Sequence, residues 1–356
     1  MDQTLIQELA REHGTPALSI FCALDTKDAG NDRDPKVLAA LEHEADDRIE
    51  TQIAGPDAAA TLRRRVSAAI ASIDLAHPTA GVAIYVSPET SRVVALPRAV
   101  ENRVLLGNQF ALRDLIDAAG FAVPARVIVL SRELNRCFDV TGGAARERRD
   151  HGFPVAPPIV PDTNAPHRDF PLAEHGREEA AKDVFRSVHR AVQALQNDDP
   201  RDLVLVGDER DLSYWNTVAG TNSGVVGRVH GNHERDTAAE IARLIAPVLE
   251  EHAEAQRAAA CARAREAVSS TAVAGMADVW TAAQAGRGRL LLVERGYNAC
   301  ARDVHGELRL LEREARDSFD AVEATIAAVA RHGGEIEIVP DGALSDLDGI
   351  VLQLRY

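Results

Sequence analysis

The 356-residue chain has few aromatic residues (4%), only three lysines (Lys27, Lys36 and Lys182), four cysteines, and no apolar run that approaches 18 residues. Each scarcity excludes something. With so few aromatics, the interior has to be built mainly from Ala, Val, Leu and Ile. Short apolar runs provide no membrane-spanning segment. Cys22, Cys137, Cys261 and Cys300 stand far apart in apolar or alanine-rich settings, which suits small buried side chains better than a disulfide frame or a zinc site. The start, MDQTLIQELAREHG, is amphipathic and acidic, without the basic region and apolar stretch of a signal peptide. A cytoplasmic location is therefore expected, with no membrane partner.

Of the 40 basic residues all but the three lysines are arginines, a bias of composition before it is a sign of phosphate recognition. Against 55 acidic residues they leave a formal charge of −15, which argues against a general, sequence-independent grip on nucleic acid, DNA in particular. Local basic clusters remain: Arg63, Arg64 and Arg65; Arg146, Arg148 and Arg149; Arg287 and Arg289. Each can touch phosphate without reading bases. The first triplet decorates a helix face, and the second is the better candidate for RNA contact.

Several catalytic and phosphate-binding signatures are missing. In VTGGAARERRDHGFP, residues 140–154, a double glycine follows a strand-like run, but it has neither the spacing nor the lysine of a phosphate-binding loop, nor a dinucleotide fingerprint. Gly142 and Gly143 are read as ending a strand at positive φ. No G-x-S-x-G elbow frames a serine. His230 and His233 have an i, i+3 spacing compatible with metal ligation, but no third ligand accompanies them, so neither a metal nor another cofactor is expected. Asp208 and Glu209 follow the apolar run LVLVG, where an acid at the end of a central strand can act as a general base. His151, His167 and His175 are the other acid–base candidates, because histidine titrates near neutrality without tuning.

What is present is alternation of strand and helix patterns. ALSIFCAL (17–24) reads as a buried strand, Leu62, Val66, Ile70 and Ile73 line one helix face, and GVAIYVSPETSRVVALP reads as a hairpin. Residues 101–119 read as a helix closed by Gly120. ARVIVLS and RCFDVTG form a second hairpin, followed by a Gly/Pro-rich stretch, 141–176, read as a long loop. Helix 177–197, strand RDLVLVGDER, a strand near 224–229 and a long helix, 237–268, come next. The last part holds a short helix (MADVWTAAQAG), strand RLLLVERG, a polar excursion, helix 318–332, the Gly333-Gly334 break, and strands EIEIV and GIVLQLRY. The expected class is mixed α+β, as three consecutive α/β domains over 1–122, 123–268 and 269–356.

The ordered set formed by RVIVLSRELNRCFDV, HGFPVAPP, DLVLVGDERDLSYW, the helix 237–268, DVWTAAQAGRGRLLLVERG, AVARHGGEIEIVP and GIVLQLRY resembles the bacterial branch of the archaeo-eukaryotic peptide-chain release factor family, which includes Pelota. The resemblance spans nearly the whole chain and implies a release-factor-like arrangement. It implies a first domain facing the decoding site, a central domain reaching toward the peptidyl-transferase centre, and a third contacting partners. It further implies the ribosome as partner, through rRNA and a tRNA site, and a translational GTPase. In true release factors the central domain carries a Gly-Gly-Gln tip that helps water attack peptidyl-tRNA. Here Gly142-Gly143 is followed by Ala144 and Gly333-Gly334 by Glu335, and the codon-reading Asn-Ile-Lys-Ser element is absent too. The resemblance therefore implies a non-catalytic, ribosome-associated factor of rescue or dormancy, with Arg146, Arg148, Arg149, Arg63, Arg64 and Arg65 as rRNA contacts. Two other readings stay open: a peptidyl-tRNA or RNA-ester hydrolase using Asp208, Glu209 or one of the three histidines, and a stress-response interaction module without ribosome contact.

Overall fold

The computed structural model describes residues 3–26, 28, 30–120, 124–157, 170–220, 224–268, 270–304, 307–313, 315 and 318–356, with the backbone alone at 13, 170–178, 180 and 181. Contacts divide the chain into two compact units: Met1–Phe121 with Ala255–Tyr356, and Ala122–Glu254. The class is mixed α+β, as expected, and no helix among the described residues is long and apolar enough to cross a membrane.

The first unit opens with α1 (Gln3–Arg11), β1 (His13–Ala23), α2 (Arg33–Gln52), α3 (Pro56–Ala71), β2 (Gly81–Val86), β3 (Ser91–Leu96), β4 (Arg103–Gln109) and α4 (Arg113–Gly120). The strands form an antiparallel sheet in the order β3-β2-β1-β4. Successive side chains of a strand point to opposite faces, so β1 serves two cores at once. Leu18, Ile20 and Cys22 pack with Leu38, Ile49, Leu62 and Val66 of α2 and α3. Ala17 and Phe21 join Tyr85, Phe110 and Leu115 on the other face.

The helix expected over 101–119 is instead β4 followed by α4. Ile20 pairs with Val104 and Leu18 with Leu106, so this segment supplies the partner that the second edge of β1 needs. Val104 and Leu106 then face one cluster and Leu105 the other, a period of two that tertiary pairing imposes.

The second unit comprises β5 (Ala125–Val129), β6 (Arg136–Thr141), β7 (Ala144–Arg148), α5 (Phe170–Asp198), β8 (Asp202–Gly207), α6 (Glu209–Ala219), β9 (Val225–His230) and the first part of α7 (Ala238–Ala267). Sheet order is β7-β6-β5-β8-β9, with β5, β8 and β9 parallel and β5, β6 and β7 antiparallel neighbours. Both faces are covered, which is why β5 and β8 read as continuous apolar runs. Ile128, Leu203 and Leu205 pack with Phe185, Val188 and Trp215. Val127, Val129, Val204 and Val206 pack with Ile241 and Ile245 of α7. The long loop expected over 141–176 is not one loop: β7 occupies 144–148 and α5 begins at Phe170, while 158–169 lie outside the described residues.

The remainder of the first unit holds β10 (Ala272–Ala274), α8 (Met276–Gln284), β11 (Gly288–Glu294), β12 (Cys300–Val304), β13 (Glu307–Leu311), β14 (Phe319–Asp320), α9 (Ala321–Arg331), β15 (Glu335–Val339) and β16 (Ile350–Leu354). Its sheets run β10-β16-β11-β15 and β13-β12-β14. The polar excursion expected after β11 thus contains a hairpin. Val279, Leu291, Ile326, Val329 and Leu352 belong to the same cluster as Phe21 and Leu115, so the two ends of the chain share one core. Buried cysteines fit the expectation for Cys22, Cys137 and Cys261, whereas Cys300 is half-buried; burial pushes the thiols of Cys22 and Cys137 up to about 11 and about 12.

One carboxylate ties these ends together. Glu323 on α9 accepts hydrogen bonds from the backbone amides of Leu112 (2.9 Å) and Arg113 (3.4 Å), the first donors of α4, so α4 is capped by a residue 210 positions away. The Arg113 guanidinium lies 3.4 Å from Glu323 and also donates to the carbonyl of Tyr297 (2.9 Å) and to Asp320 (3.3 Å). Burial pushes Glu323 from its ordinary 4.5 up to about 7, Arg113 opposing and Asp320 adding to the rise. A folded value above the unfolded one means that the folded chain holds this proton more tightly. The stabilisation is full below the ordinary value of 4.5 and is lost as pH rises through about 7. Over that window the loss is roughly 3 kcal/mol for this group. Glu323→Gln keeps an acceptor for the two amides and removes the titration. The melting temperature of the variant, measured from pH 5 to pH 8, is expected to depend less on pH than that of the wild type; parallel profiles would contradict the assignment.

Candidate functional site

The second unit concentrates charge on the β5–β6–β7 side of its sheet. Gly142 and Gly143 have φ of +60° and +79°, the pattern of a two-residue hairpin turn, closed by the Thr141–Ala144 pair. Such a turn needs positive φ at both central positions, which glycine adopts without steric cost. The positive φ is as the sequence suggested, but the double glycine does not end the sheet: it turns the chain into β7 and makes the β6–β7 hairpin.

Within that hairpin Asp139 is the central acceptor. Its Oδ1 accepts from Arg126 Nε at 2.9 Å and its Oδ2 from Arg148 Nη1 at 2.7 Å. Arg126 is fully buried on β5 and donates as well to Gln196 (2.7 Å) and the carbonyl of Asp199 (3.1 Å), which anchors the hairpin to the end of α5. Burial works to raise the Asp139 carboxyl, and the bonds from Arg126 and Arg148 outweigh it, leaving the group below its ordinary value. Arg148 is held again by Asp150 at 2.6 Å, and this hydrogen bond draws Asp150 down to about 2. Glu147 bridges Arg136 (2.7 Å) and Arg149 (3.3 Å), its carboxyl lowered first by Arg136.

The candidate arginines thus divide. Arg148 is a structural member of the Asp139 network, Arg149 is exposed and shares Glu147, and Arg146 is exposed with no hydrogen bond or ion pair to a described residue. On α3, Arg63 is held by Asp46 (3.7 Å) and Glu50 (3.2 Å), whereas Arg64 is exposed and Arg65 half-exposed, with no such partner among the described residues.

Among the described residues the acid–base candidates are each engaged locally or exposed. Asp208 caps α6, accepting from the amide of Asp211 at 2.8 Å, and Glu209 is the exposed first residue of that helix. His151, at φ +52°, places Nε2 at 2.7 Å from Asp198. No hydrogen bond or ion pair joins Asp208 or Glu209 to His151. His175 lies on the backbone of α5, its side chain outside the description, and His167 lies outside the described residues. His233 pairs with Asp236 at 2.8 Å, and no group of three His, Cys, Asp or Glu side chains among the described residues could hold a metal ion.

Two features escaped the sequence. Arg126 and Asp139 sit inside apolar strands, and a charge in such a run is the signal that a buried pair exists. At the carboxyl end of β5, Ser131 donates to Glu234 at 2.5 Å while its amide is accepted by buried Asn135 at 3.1 Å. Nothing in the local sequence marks this second cluster, because Glu234 lies 103 residues from Ser131.

The segment 126–287, from β5 to the residue before β11, matches the model of bacterial archaeo-eukaryotic release factor family 3. Over those residues, a little under half of the chain, the sequence is similar to that family. The matched region contains the hairpin, its arginines and the helices that cover both faces of the sheet. No curated protein matches the sequence. Among solved structures, the chain is similar to an archaeal translation termination factor, aRF1 (14% identity, covering 100% of this chain and 99% of that one, TM-score 0.25). It is also similar to Archaeoglobus fulgidus Pelota (15% identity, 78% and 79% covered, TM-score 0.37) and to archaeal Pelota described as ribosome-bound with ABCE1 (13% identity, 75% and 72% covered, TM-score 0.44).

Removing one partner of a buried pair leaves the other uncompensated, at a cost of about 3–5 kcal/mol. Asp139→Asn strips the charged acceptor from Arg126 and is expected to lower the urea midpoint of the second unit strongly. Asp150→Asn, at an exposed position, should have a much smaller effect. Equal midpoints for the two variants would rule out the central role of Asp139.

Proposed function

We propose that this chain is a ribosome-associated factor that occupies a tRNA-accepting site without cleaving peptidyl-tRNA, and that it acts in ribosome rescue or dormancy. One observation carries the reading. The segment that matches a release factor family has a single double glycine, and that pair is spent on a hairpin turn followed by Ala144 where hydrolysis would call for glutamine. Occupying a tRNA site requires complementarity of surface and charge, not a reacting amide. In this reading the arginines of α3 and of the β6–β7 hairpin face rRNA phosphates, and a translational GTPase is a further partner. The segments 1–122, 123–268 and 269–356 act as three functional parts in the cytoplasm, the first and last of them sharing one hydrophobic cluster.

Co-sedimentation on polysome gradients tests the reading directly. The tagged full-length protein is expected to travel with ribosomal particles at low salt and to release no peptide from peptidyl-tRNA loaded on ribosomes. Since few phosphates are engaged by an acidic protein, the loss of binding with rising salt should be shallow. Failure to enter the ribosomal fractions at low salt would refute it, and peptide release that depends on Asp208, Glu209 or His151 would favour the hydrolase reading.

A further inference from the structure

The β5–β7 region is a basic island in an acidic chain. Residues 125–129 and 136–150 carry five arginines against three carboxylates, within a chain of net charge −15. The contacts show where the surplus resides. Asp139 is saturated by Arg126 and Arg148, Asp150 holds Arg148 a second time, and Glu147 is held from its better-buried side by Arg136. Arg136 also donates to the carbonyls of Glu234 (3.0 Å) and Asp236 (2.7 Å), so its head is fixed on three sides. Arg146 stands directly across the ladder from Asp139, yet both oxygens of that carboxylate are taken, and the Arg146 guanidinium is left exposed and uncompensated. Arg149 is 78% exposed and has one long contact, to a carboxylate already engaged by Arg136. An exposed ion pair of this kind contributes little and yields readily to a better anion.

We infer that Arg146 and Arg149 are the phosphate-contacting residues of the central hairpin, each meeting a phosphodiester of RNA, Arg146 from the Asp139 face and Arg149 from the Glu147 face, while Arg126, Arg136 and Arg148 hold the hairpin in shape. The inference deepens the ribosome-bound reading and rests on it for the identity of the RNA. The ligand chemistry follows from the site: two exposed guanidinium groups at one hairpin suit a phosphate backbone.

The test uses the full-length chain and two probes, purified bacterial ribosomes and a short oligouridylate, each titrated over a range of salt. For each guanidinium that meets a phosphate, its removal flattens the dependence of log K on log salt by about 0.7 to 0.9. Arg146→Ala and Arg149→Ala are each expected to flatten the slope by that amount and to leave the melting temperature unchanged, with the double variant showing the sum. Arg148→Ala should lower the melting temperature and leave the slope of the folded fraction as it was, and Arg186→Ala, an exposed arginine of α5, should change neither. Ribosome binding with an unaltered slope in both single variants overturns the inference and spares the ribosome reading. If oligouridylate binding is flattened by the two substitutions while ribosomes are not bound at all, the phosphate site stands and the ribosome reading fails. Absence of binding to both probes overturns both.

Discussion

The candidate surface depends on a single carboxylate. Asp139 takes Arg126 on one oxygen and Arg148 on the other, and Arg126 has no exposed surface of its own. A guanidinium removed from water needs acceptors: Asp139, the glutamine at the end of α5 and the Asp199 carbonyl take Nε and Nη1, while the buried Nη2 makes no hydrogen bond and has only the Asp199 carboxylate at 3.6 Å. That requirement fixes the hairpin against α5 and decides which of its other arginines stay available. Charge that would otherwise be read as one basic patch is thereby sorted into structural and free groups.

A comparable device organises the other unit. Glu323 reaches from α9 to the first amides of α4, and Arg113 returns the contact to Glu323, Asp320 and the Tyr297 carbonyl. Helix N-termini expose donors that have no intrahelical partner, and a buried one needs an acceptor from elsewhere. Here the acceptor comes from the other end of the chain, within the cluster that joins Phe21 and Leu115 to Ile326 and Val329. The cost is a carboxyl held near neutrality in an apolar setting, which couples the fold of this unit to pH.

The family likeness and the double glycine fall in the same segment. The matched segment retains the covered mixed sheet of the second unit, and its only double glycine forms a tight turn. A strand-to-strand turn of two residues presents a rigid edge, and the exposed charged group nearest to it on β7 is the cation Arg146. Such an edge is suited to contact with a polyanion.

Much of the fold was legible before any coordinates. Both early hairpins, the amphipathic helices and the run of strands β5, β8 and β9 follow from apolar periodicity and from glycine placement, because these signals are local. The positive φ of the double glycine is legible for the same reason, but the sequence reads it as the end of a strand and not as a turn into β7. The segment 101–119 was misread because a helix and a strand can share one short apolar run; only the need of β1 for a second partner, some eighty residues upstream, settles it. The strand β7, inside what reads as a loop, depends likewise on its pairing with β6. Among the arginines, sequence shows clusters and no more: that Arg148 is bound and Arg146 free depends on Asp139 and on a buried partner from β5. The sequence by itself determined the strongly periodic helices and apolar strands, the absence of a Gly-Gly-Gln tip and the family pattern. Tertiary structure alone decided strand pairing, helix capping across 210 residues and the pairing state of each charge, since these depend on groups that the chain brings together only by folding.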